Sequence, residues 1–306
     1  MITKLDRFEG CMLGLACGDA VGTTVEFNRR GTFPPVTDMV GGGAFDLEPG
    51  QWTDDTSMAL CLAVSLTQKK RFDAHDIMER FCKWRDEGYL SSNGHCFDIG
   101  GTVGRALNKF KRTCNPYAGD TDPKTAGNGC LMRLAPVVMM YHGCRTMALR
   151  MASNSAALTH GATECLIASQ AFGDQIWMAL DGASKNNIVT SKGGFGWDVE
   201  ASRKITNIAN GSYRGIVEKY INGIGYVVDS LEAALWCFHR TSTFKDAILM
   251  AANLGDDADT TAAITGQIAG AFYGVNGIPP EWLEMLAMSD YIRQMGGRLM
   301  RLGEQL

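Results

Sequence analysis

Apolar residues recur at three- and four-residue spacing along most of the chain, the pattern of helices that bury one face. In "FDAHDIMERFCKWRDEG" this spacing puts Ile77, Phe81 and Trp84 on one side, with Asp73 placed to cap the start and Gly88 to stop the helix. "TFKDAILMAANLG" opens with Thr243 and Asp246 in capping-box positions and is expected to run to Gly255. The paired prolines of "PPEWLEMLAMSDYIRQMG" suit a first helical turn. The same period predicts helices over 5–18, 54–68, 102–112, 129–142, 145–158, 163–181, 198–209 and 230–239. Alternating β-branched runs are nearly absent, and "IVEKYINGIGYVV" is ambiguous between the two periods. No fixed-period repeat, low-complexity tract or Pro/Ser-rich linker divides the chain. The expected architecture is one all-α domain over 1–306, carrying its functional groups on glycine-rich loops between helices. The polar stretch 184–197, "SKNNIVTSKGGFGW", reads as a surface loop.

At 306 residues the chain is long enough to bury a sizeable core. A net charge of −4 argues against nucleic acid or an anionic membrane as partner, since both reward a basic face. No run approaches the roughly 18 apolar residues of a membrane span. In "MITKLDRFEGCMLGLACGDAVG", Asp6 and Glu9 precede the short apolar stretch and Asp19 follows it, which argues against a signal peptide. The ten cysteines show neither C-x-x-C nor metal-type spacing, so they read as reduced thiols of a cytoplasmic protein. Glycine is in excess, with 36 residues, about 12% against a usual value near 7%. Clusters such as "VGGGAF", "FDIGGTVG" and "AGNGC" are expected where the backbone approaches a ligand.

Acidic residues change the picture most. "NLGDDADTT" at 253–261 packs Asp256, Asp257 and Asp259 against the apolar run "AAITGQIAGAFYG", and "QWTDDTSM" at 51–58 sets Asp54 and Asp55 before another apolar helix. Two carboxylates about 4 Å apart repel by roughly 4 kcal/mol at an effective dielectric near 20. Helix capping is the plain explanation for each cluster alone, because Asp and Thr satisfy free N–H groups. Capping needs one oxygen, however, and each site supplies two carboxylates and a hydroxyl. Hard oxygen donors without His or Cys suit Mg²⁺ or Mn²⁺. An EF-hand does not fit, since Ala262 and Ile268 stand where its loop needs Gly and Glu. The Asp-Asp-x-x-Asp spacing of prenyl-diphosphate synthases is absent too. Glu26 in "GDAVGTTVEF" sits on a Gly/Thr segment, where a carboxylate can act as a mobile acid or base. Asp98 in "CFDIGG" is a turn-former or a pocket carboxylate, and His160 in "LTHG" a hydrogen-bonding residue or a catalytic one.

Taken together, "GCMLGLACGDAVGTTVEF", "WTDDTSM", "GYLSSNGHCFDIGGTVGRAL", "GNGCLMRLAPV", "LTHG", "GYVVDSLEAALWCF" and "LGDDADTTAAITGQIAGAFYG" resemble an ADP-ribosylglycohydrolase. The likeness is greatest to the bacterial dinitrogenase-reductase-activating branch, whose enzymes remove ADP-ribose from arginine. It implies an orthogonal bundle of helices around a pair of Mg²⁺ or Mn²⁺ ions in a central cleft. On that basis Thr53, Asp54 and Asp55 supply half of the ligand set, and Asp257, Asp259 and Thr260 the other half. Asp256, where many relatives carry glycine, is expected behind the ligands. The resemblance makes Glu26 a residue that lies over the site and moves with substrate, and Asp98 an acid/base near the ribose. It assigns Gly127, Asn128 and Gly129 to a loop cradling ADP-ribose, and His160 and Tyr226 to the distal ribose or adenine. Cys130 and Gly101 depart from the serine and asparagine of many relatives, which bears on acceptor preference.

The implied reaction is hydrolysis of the bond between ADP-ribose and an arginine guanidinium, with the distal ribose held at the metals beside the attacking water. Asp55 belongs to that catalytic centre, and proton transfer falls to Asp98 first and to Glu26 as the alternative. The expected partner is an ADP-ribosylated protein, with an ADP-ribosyltransferase toxin as a further one, and the chain is expected to act as a monomer. Two other readings stay open: a protein that binds ADP-ribose or occludes a transferase, and a hydrolase of O-linked ADP-ribose or another nucleotide.

Overall fold

The structure, a computed structural model, describes residues 2–190 and 203–305. It is all helical, with isolated two-residue bridges and no sheet among the described residues. Among the described residues fourteen α-helices follow in chain order: α1 Lys4–Gly22, α2 Asp54–Lys69, α3 Ala74–Glu87, α4 Gly101–Thr113, α5 Ala135–Met140, α6 Arg145–Ala157, α7 Thr163–Leu180, α8 Lys185–Val189, α9 Arg203–Ala209, α10 Val227–Arg240, α11 Phe244–Ala252, α12 Ala258–Tyr273, α13 Pro280–Met285 and α14 Ser289–Gly303. No helix is long and apolar enough to cross a membrane, among the described residues.

Three helices form the interior. Residues Gly10–Gly22 of α1, Asp54–Leu66 of α2 and Ala258–Ala271 of α12 are buried without a break. Such helices are apolar on all sides because protein surrounds them. α1 and α12 run antiparallel in direct backbone contact. A Cβ on Gly10, Gly14, Gly18 or Gly22 would lie 2.4, 2.3, 2.1 or 2.4 Å from the carbonyl oxygen of Gly270, Gly266, Ala262 or Ala258. Glycine at every fourth position of α1 therefore lets two backbones meet where any side chain would hold them apart. The helices α5, α7, α10, α11 and α14 close around this pair.

Local signals act as expected at several ends. Asp73 accepts from the Asp76 N–H, Gly88 ends α3 at φ 68°, and Thr243 accepts from the Asp246 N–H. Elsewhere tertiary contacts change the pattern. The helix expected over 129–142 is a short turn at Asn128–Cys130 followed by α5, which restarts with Pro136 in its first turn. Pro136 lacks the N–H that a continuous helix needs. Gln267 of α12 satisfies the freed groups, accepting from the Ala135 N–H and donating to the Leu131 and Met132 carbonyls. The segment after Pro279 is two helices, split where Met288 adopts φ 57°. There the Ala287 N–H donates to the Gly50 carbonyl, and Trp52 Nε1 donates back to the Ala287 carbonyl. α11 stops at Ala252 rather than Gly255, and the stretch read as a loop at 184–197 contains α8. Residues 191–202, which include the rest of that stretch and the start of the 198–209 pattern, lie outside the described residues.

Gly18→Val should lower stability by about 3 kcal/mol or more, because its Cβ meets backbone that cannot yield. Gly104 sits inside α4 with open space around its would-be Cβ. Gly104→Ala should raise stability by about 1 kcal/mol. Chemical denaturation of the two variants beside the parent protein checks both signs.

Candidate functional site

The buried arrangement of α1, α2 and α12 brings three helix ends to one place. The carboxyl end of α1 delivers Asp19 and the following turn delivers Glu26. The amino ends of α2 and α12 deliver Thr53–Asp55 and Asp257–Thr260. Two helix amino termini aimed at one point favour negative charge there.

Neither acidic cluster caps its helix. The side chains of Thr53 and Asp257, at the two capping positions, accept no backbone hydrogen bond from α2 or α12. Asp19 does this work for α2 from the neighbouring helix. Its Oδ1 accepts from the Thr53 N–H and hydroxyl at 2.8 Å each, and its Oδ2 accepts from the Thr56 N–H at 3.0 Å and hydroxyl at 2.6 Å. Asp19 is fully buried, and burial pushes its pKa up against these four donors. With the cap supplied from α1, Asp54 and Asp55 are free for other duty. The sequence offered one sign of this residue, an aspartate directly after an apolar helical run.

The two clusters interlock. The Thr53 hydroxyl lies 3.3 Å from Asp259 Oδ2, and the Thr260 hydroxyl 3.4 Å from Asp55 Oδ2. Carboxylate oxygens of Glu26, Asp257 and Asp259 fall within 4.8 Å of one another, as do those of Asp54, Asp98 and Asp259. Asp259 belongs to both groups. Burial raises the pKa of Asp54, Asp55 and Asp259 well above the usual carboxylate range, and their neighbouring carboxylates push the same way. Burial and the Asp98 charge lift Glu26 to about 10; burial and Asp19 lift Asp98 to about 7. Glu26 and Asp98 also hydrogen-bond each other.

Glu26 Oε2, Asp55 Oδ1 and Asp259 Oδ1 are buried with no hydrogen-bond partner. No lysine or arginine forms an ion pair with any of these carboxylates among the described residues. Leaving buried carboxylates unpaired costs several kcal/mol each. A donor set of carboxylates and hydroxyls with orphaned oxygens fits a hard divalent cation, and the pairing into two groups around Asp259 fits two.

The remaining candidates line the cleft beside this cluster: Glu26, Asp98, Gly127, Asn128, Gly129 and His160 border it together with Asp54, Asp257, Asp259 and Thr260. Asn128 turns its amide toward Asp257 Oδ2 and Ser230 Oγ, both at 2.8 Å, so it orients a carboxylate. Gly127 and Gly129 pack on the His160 ring, where a Cβ on Gly129 would stand 2.8 Å from the imidazole. Tyr226 pairs its backbone with Gly127 and donates its hydroxyl to Glu164 at 2.7 Å. In "VGGGAF", Gly41 and Gly43 serve the fold instead, since a Cβ on either would meet the Leu47 or the Thr23 carbonyl.

A buried relay sets His160. The Arg133 guanidinium donates to Thr159 Oγ1, which lies 2.8 Å from His160 Nδ1. Arginine only donates, so Thr159 Oγ1 accepts from it and its own proton is free for Nδ1; with that bond made, the imidazole carries its proton on Nε2, on the side of Gly127 and Gly129. Burial and the Arg133 charge push His160 down to about 3, which keeps it a neutral donor. Nothing in the sequence spacing marks Arg133 or Thr159 for this role.

Comparisons with known proteins give the family and the fold. The family model described as ADP-ribosylglycohydrolase matches residues 1–305, and the chain belongs to that family. It is a hydrolase of the ADP-ribosylglycohydrolase type with the all-α fold of the family. It is similar to ADP-ribosylarginine hydrolase Tri1 of Pseudomonas putida, 44% identical over 96% of this chain and 78% of the relative. Tri1 of Serratia proteamaculans is 40% identical over 97% of this chain and 79% of the relative. The ADP-ribosyl-[dinitrogen reductase] glycohydrolase of Rhodospirillum rubrum is 34% identical over 92% and 91%. A solved structure, an ADP-ribosylglycohydrolase-related protein complex, superposes with a TM-score of 0.86 at 40% identity, over 98% of this chain and 99% of that one.

Asp98 and Glu26 have pKa values raised by folding, so their contribution to stability is present at low pH and fades as pH rises through about 7 and about 10. Chelator-treated protein should therefore melt at higher temperature at pH 5.5 than at pH 8. Added Mg²⁺ or Mn²⁺ should stabilise more at pH 8, by about 2.7 kcal/mol at a hundredfold excess over Kd. Asp259→Asn should abolish the cation-induced shift while leaving the chelated protein at least as stable as the parent. Thermal melts at the two pH values measure all three effects.

Proposed function

We propose that the cleft hydrolyses the N-glycosidic bond joining ADP-ribose to an arginine guanidinium of a protein. The observation that carries this reading is the convergence of two acidic clusters, from opposite ends of the chain, on orphaned carboxylate oxygens. The names of the Tri1 relatives support arginine as the acceptor, and that of the dinitrogen reductase glycohydrolase supports a protein as the substrate.

Thr53, Asp54, Asp55, Asp257, Asp259 and Thr260 would hold two divalent cations, Mg²⁺ or Mn²⁺. When bound, such ions supply Lewis acidity, lower the pKa of water and orient the sugar. The chain's own groups do the rest. The Thr53 hydroxyl directs its proton to Asp19, which leaves its lone pairs toward the cluster. Asn128 fixes Asp257. His160 Nε2–H and the backbone at Gly127–Gly129 bind the polar oxygens of the ADP-ribose. Asp98, raised to about 7, moves the proton near neutral pH, with Glu26 as the alternative acid or base. The protein would act as a monomeric single domain in the cytoplasm, reversing mono-ADP-ribosylation and serving as immunity against an ADP-ribosyltransferase toxin.

Release of free ADP-ribose from arginine-linked and serine-linked conjugates, with Mg²⁺, Mn²⁺ and chelator, tests the proposal. The expected result is cation-dependent release from arginine that Asp55→Ala and Asp259→Ala abolish. Release from serine alone would replace arginine as the acceptor. Tight binding without release would replace hydrolysis with occlusion.

A further inference from the structure

Phe27 is the most exposed large apolar residue among those described, at 65%, and it borders the cleft with Glu26, Asp54, Asp98 and Asp259. Its backbone sits at φ 64°, a left-handed conformation that bulky residues rarely adopt. Backbone hydrogen bonds hold it there: the Phe27 N–H donates to the Asp256 carbonyl at 2.7 Å, and the Asp256 N–H donates to the Asn28 carbonyl at 2.7 Å. The clamp fixes the residue through its backbone and leaves most of the ring uncovered. A strained backbone that presents an uncovered aromatic ring at a cleft is best accounted for by what the cleft receives.

Two further rings prop it. Phe45 meets Phe27 edge-on with centroids 6.2 Å apart, and Phe97 packs on Phe45 at 5.2 Å. Phe97 immediately precedes Asp98, itself at φ 57°. The row of rings thus spans from the residue after Glu26 to the residue before Asp98. The cleft that Phe27 borders is lined by five carboxylates, from Glu26, Asp54, Asp98, Asp257 and Asp259, and by no lysine or arginine among the described residues. With Asp54, Asp257 and Asp259 assigned to the divalent cations, Glu26 and Asp98 are the carboxylates left to meet a cationic acceptor, and a flat aromatic face selects a planar one.

We propose that Phe27, backed by Phe45 and Phe97, is the acceptor subsite: its ring stacks on the guanidinium plane of the ADP-ribosylated arginine, whose N–H groups point to Glu26 and Asp98. This assignment rests on the arginine reading given above. Phe27 acts as a specificity-determining residue; it takes no part in proton transfer or cation binding.

The test compares Phe27→Ala, Phe27→Leu and Phe27→Trp in the full chain with Mg²⁺ present. Phe27→Ala and Phe27→Leu should raise KM for an ADP-ribosylated arginine conjugate roughly two- to thirty-fold, the range expected of a lost cation–π contact. kcat and the Kd for free ADP-ribose should stay within about twofold, and Phe27→Trp should keep the parent KM. An unchanged KM in Phe27→Leu overturns the proposal, because an apolar side chain then suffices. An equal loss of ADP-ribose affinity in Phe27→Ala also overturns it, because the ring then serves the nucleotide. If the parent protein releases nothing from arginine, the function reading fails separately. The subsite is then decided by calorimetric titration of agmatine into the ADP-ribose complex: binding weakened in Phe27→Ala sustains it, and no binding overturns it.

Discussion

The glycine contact between α1 and α12 is the constraint on which the site depends. Because carbonyl oxygens of α12 occupy the places where α1 side chains would begin, the two helices lie at backbone distance over three turns. Antiparallel packing then sets the carboxyl end of α1 beside the amino end of α12. Asp19 and Glu26 thereby come within reach of Asp257 and Asp259, more than 200 residues away in the chain. A wider helix pair would carry Asp19 away from α2 as well. Thr53 and Thr56 would lose their acceptor, and the amino end of α2 would need Asp54 or Asp55 as its cap. The acidic cluster exists because a different aspartate, on a third helix, has relieved it of that task.

Charge is concentrated here at the expense of stability. Five carboxylates border one cleft with Asp55 buried behind them, and one oxygen each of Glu26, Asp55 and Asp259 is buried without a partner. The helix amino termini offset part of this repulsion, and Arg133 adds a buried positive charge that acts on Asp54 and Asp55. Arg133 itself is pushed down to about 10 by burial and is held by Thr159 and the Phe81 ring rather than by a carboxylate. Its hydrogen bonds lead toward His160, which places it between the acidic cluster and the glycine loop as an orienting group. The strain of the cluster is carried by three helices buried along nearly their whole length, where apolar burial is large enough to bear it.

Much of this was legible in the sequence. Asp54–Asp55 and Asp257–Asp259 stood out because charge abuts apolar runs where burial without a counter-charge is costly, and the family resemblance carried the assignments further. The helices were legible where local caps decide their ends, as at Asp73 and Thr243. They were not where a distant residue decides: Gln267 takes over the hydrogen bonds freed before Pro136, and Gly50 and Trp52 split the last helical stretch at Met288. Asp19 and Arg133 were missed for the same reason, since each acts on partners supplied by other elements. Of the glycine excess, the clusters "FDIGGTVG" and "AGNGC" supply residues that border the cleft, whereas the four-residue spacing in α1, which marks helix–helix contact, went unread.

Asp256 shows how a residue can matter through its backbone alone. It stands at φ 56°, in the left-handed region where glycine is at ease and other residues are strained. Its N–H and carbonyl clip the turn at Phe27 and Asn28, and the Arg29–Gly255 bridge extends the pairing. The loop that delivers Asp257 and Asp259 is therefore tied to the turn that delivers Glu26. Glu26 is itself buried to 3% exposure, so its carboxylate cannot swing outward without disturbing its neighbours. Rotation of the Glu26 side chain would require its neighbours to give way but no loss of these backbone hydrogen bonds, so the loop carrying Asp257 and Asp259 and the exposed Phe27 ring would stay in place.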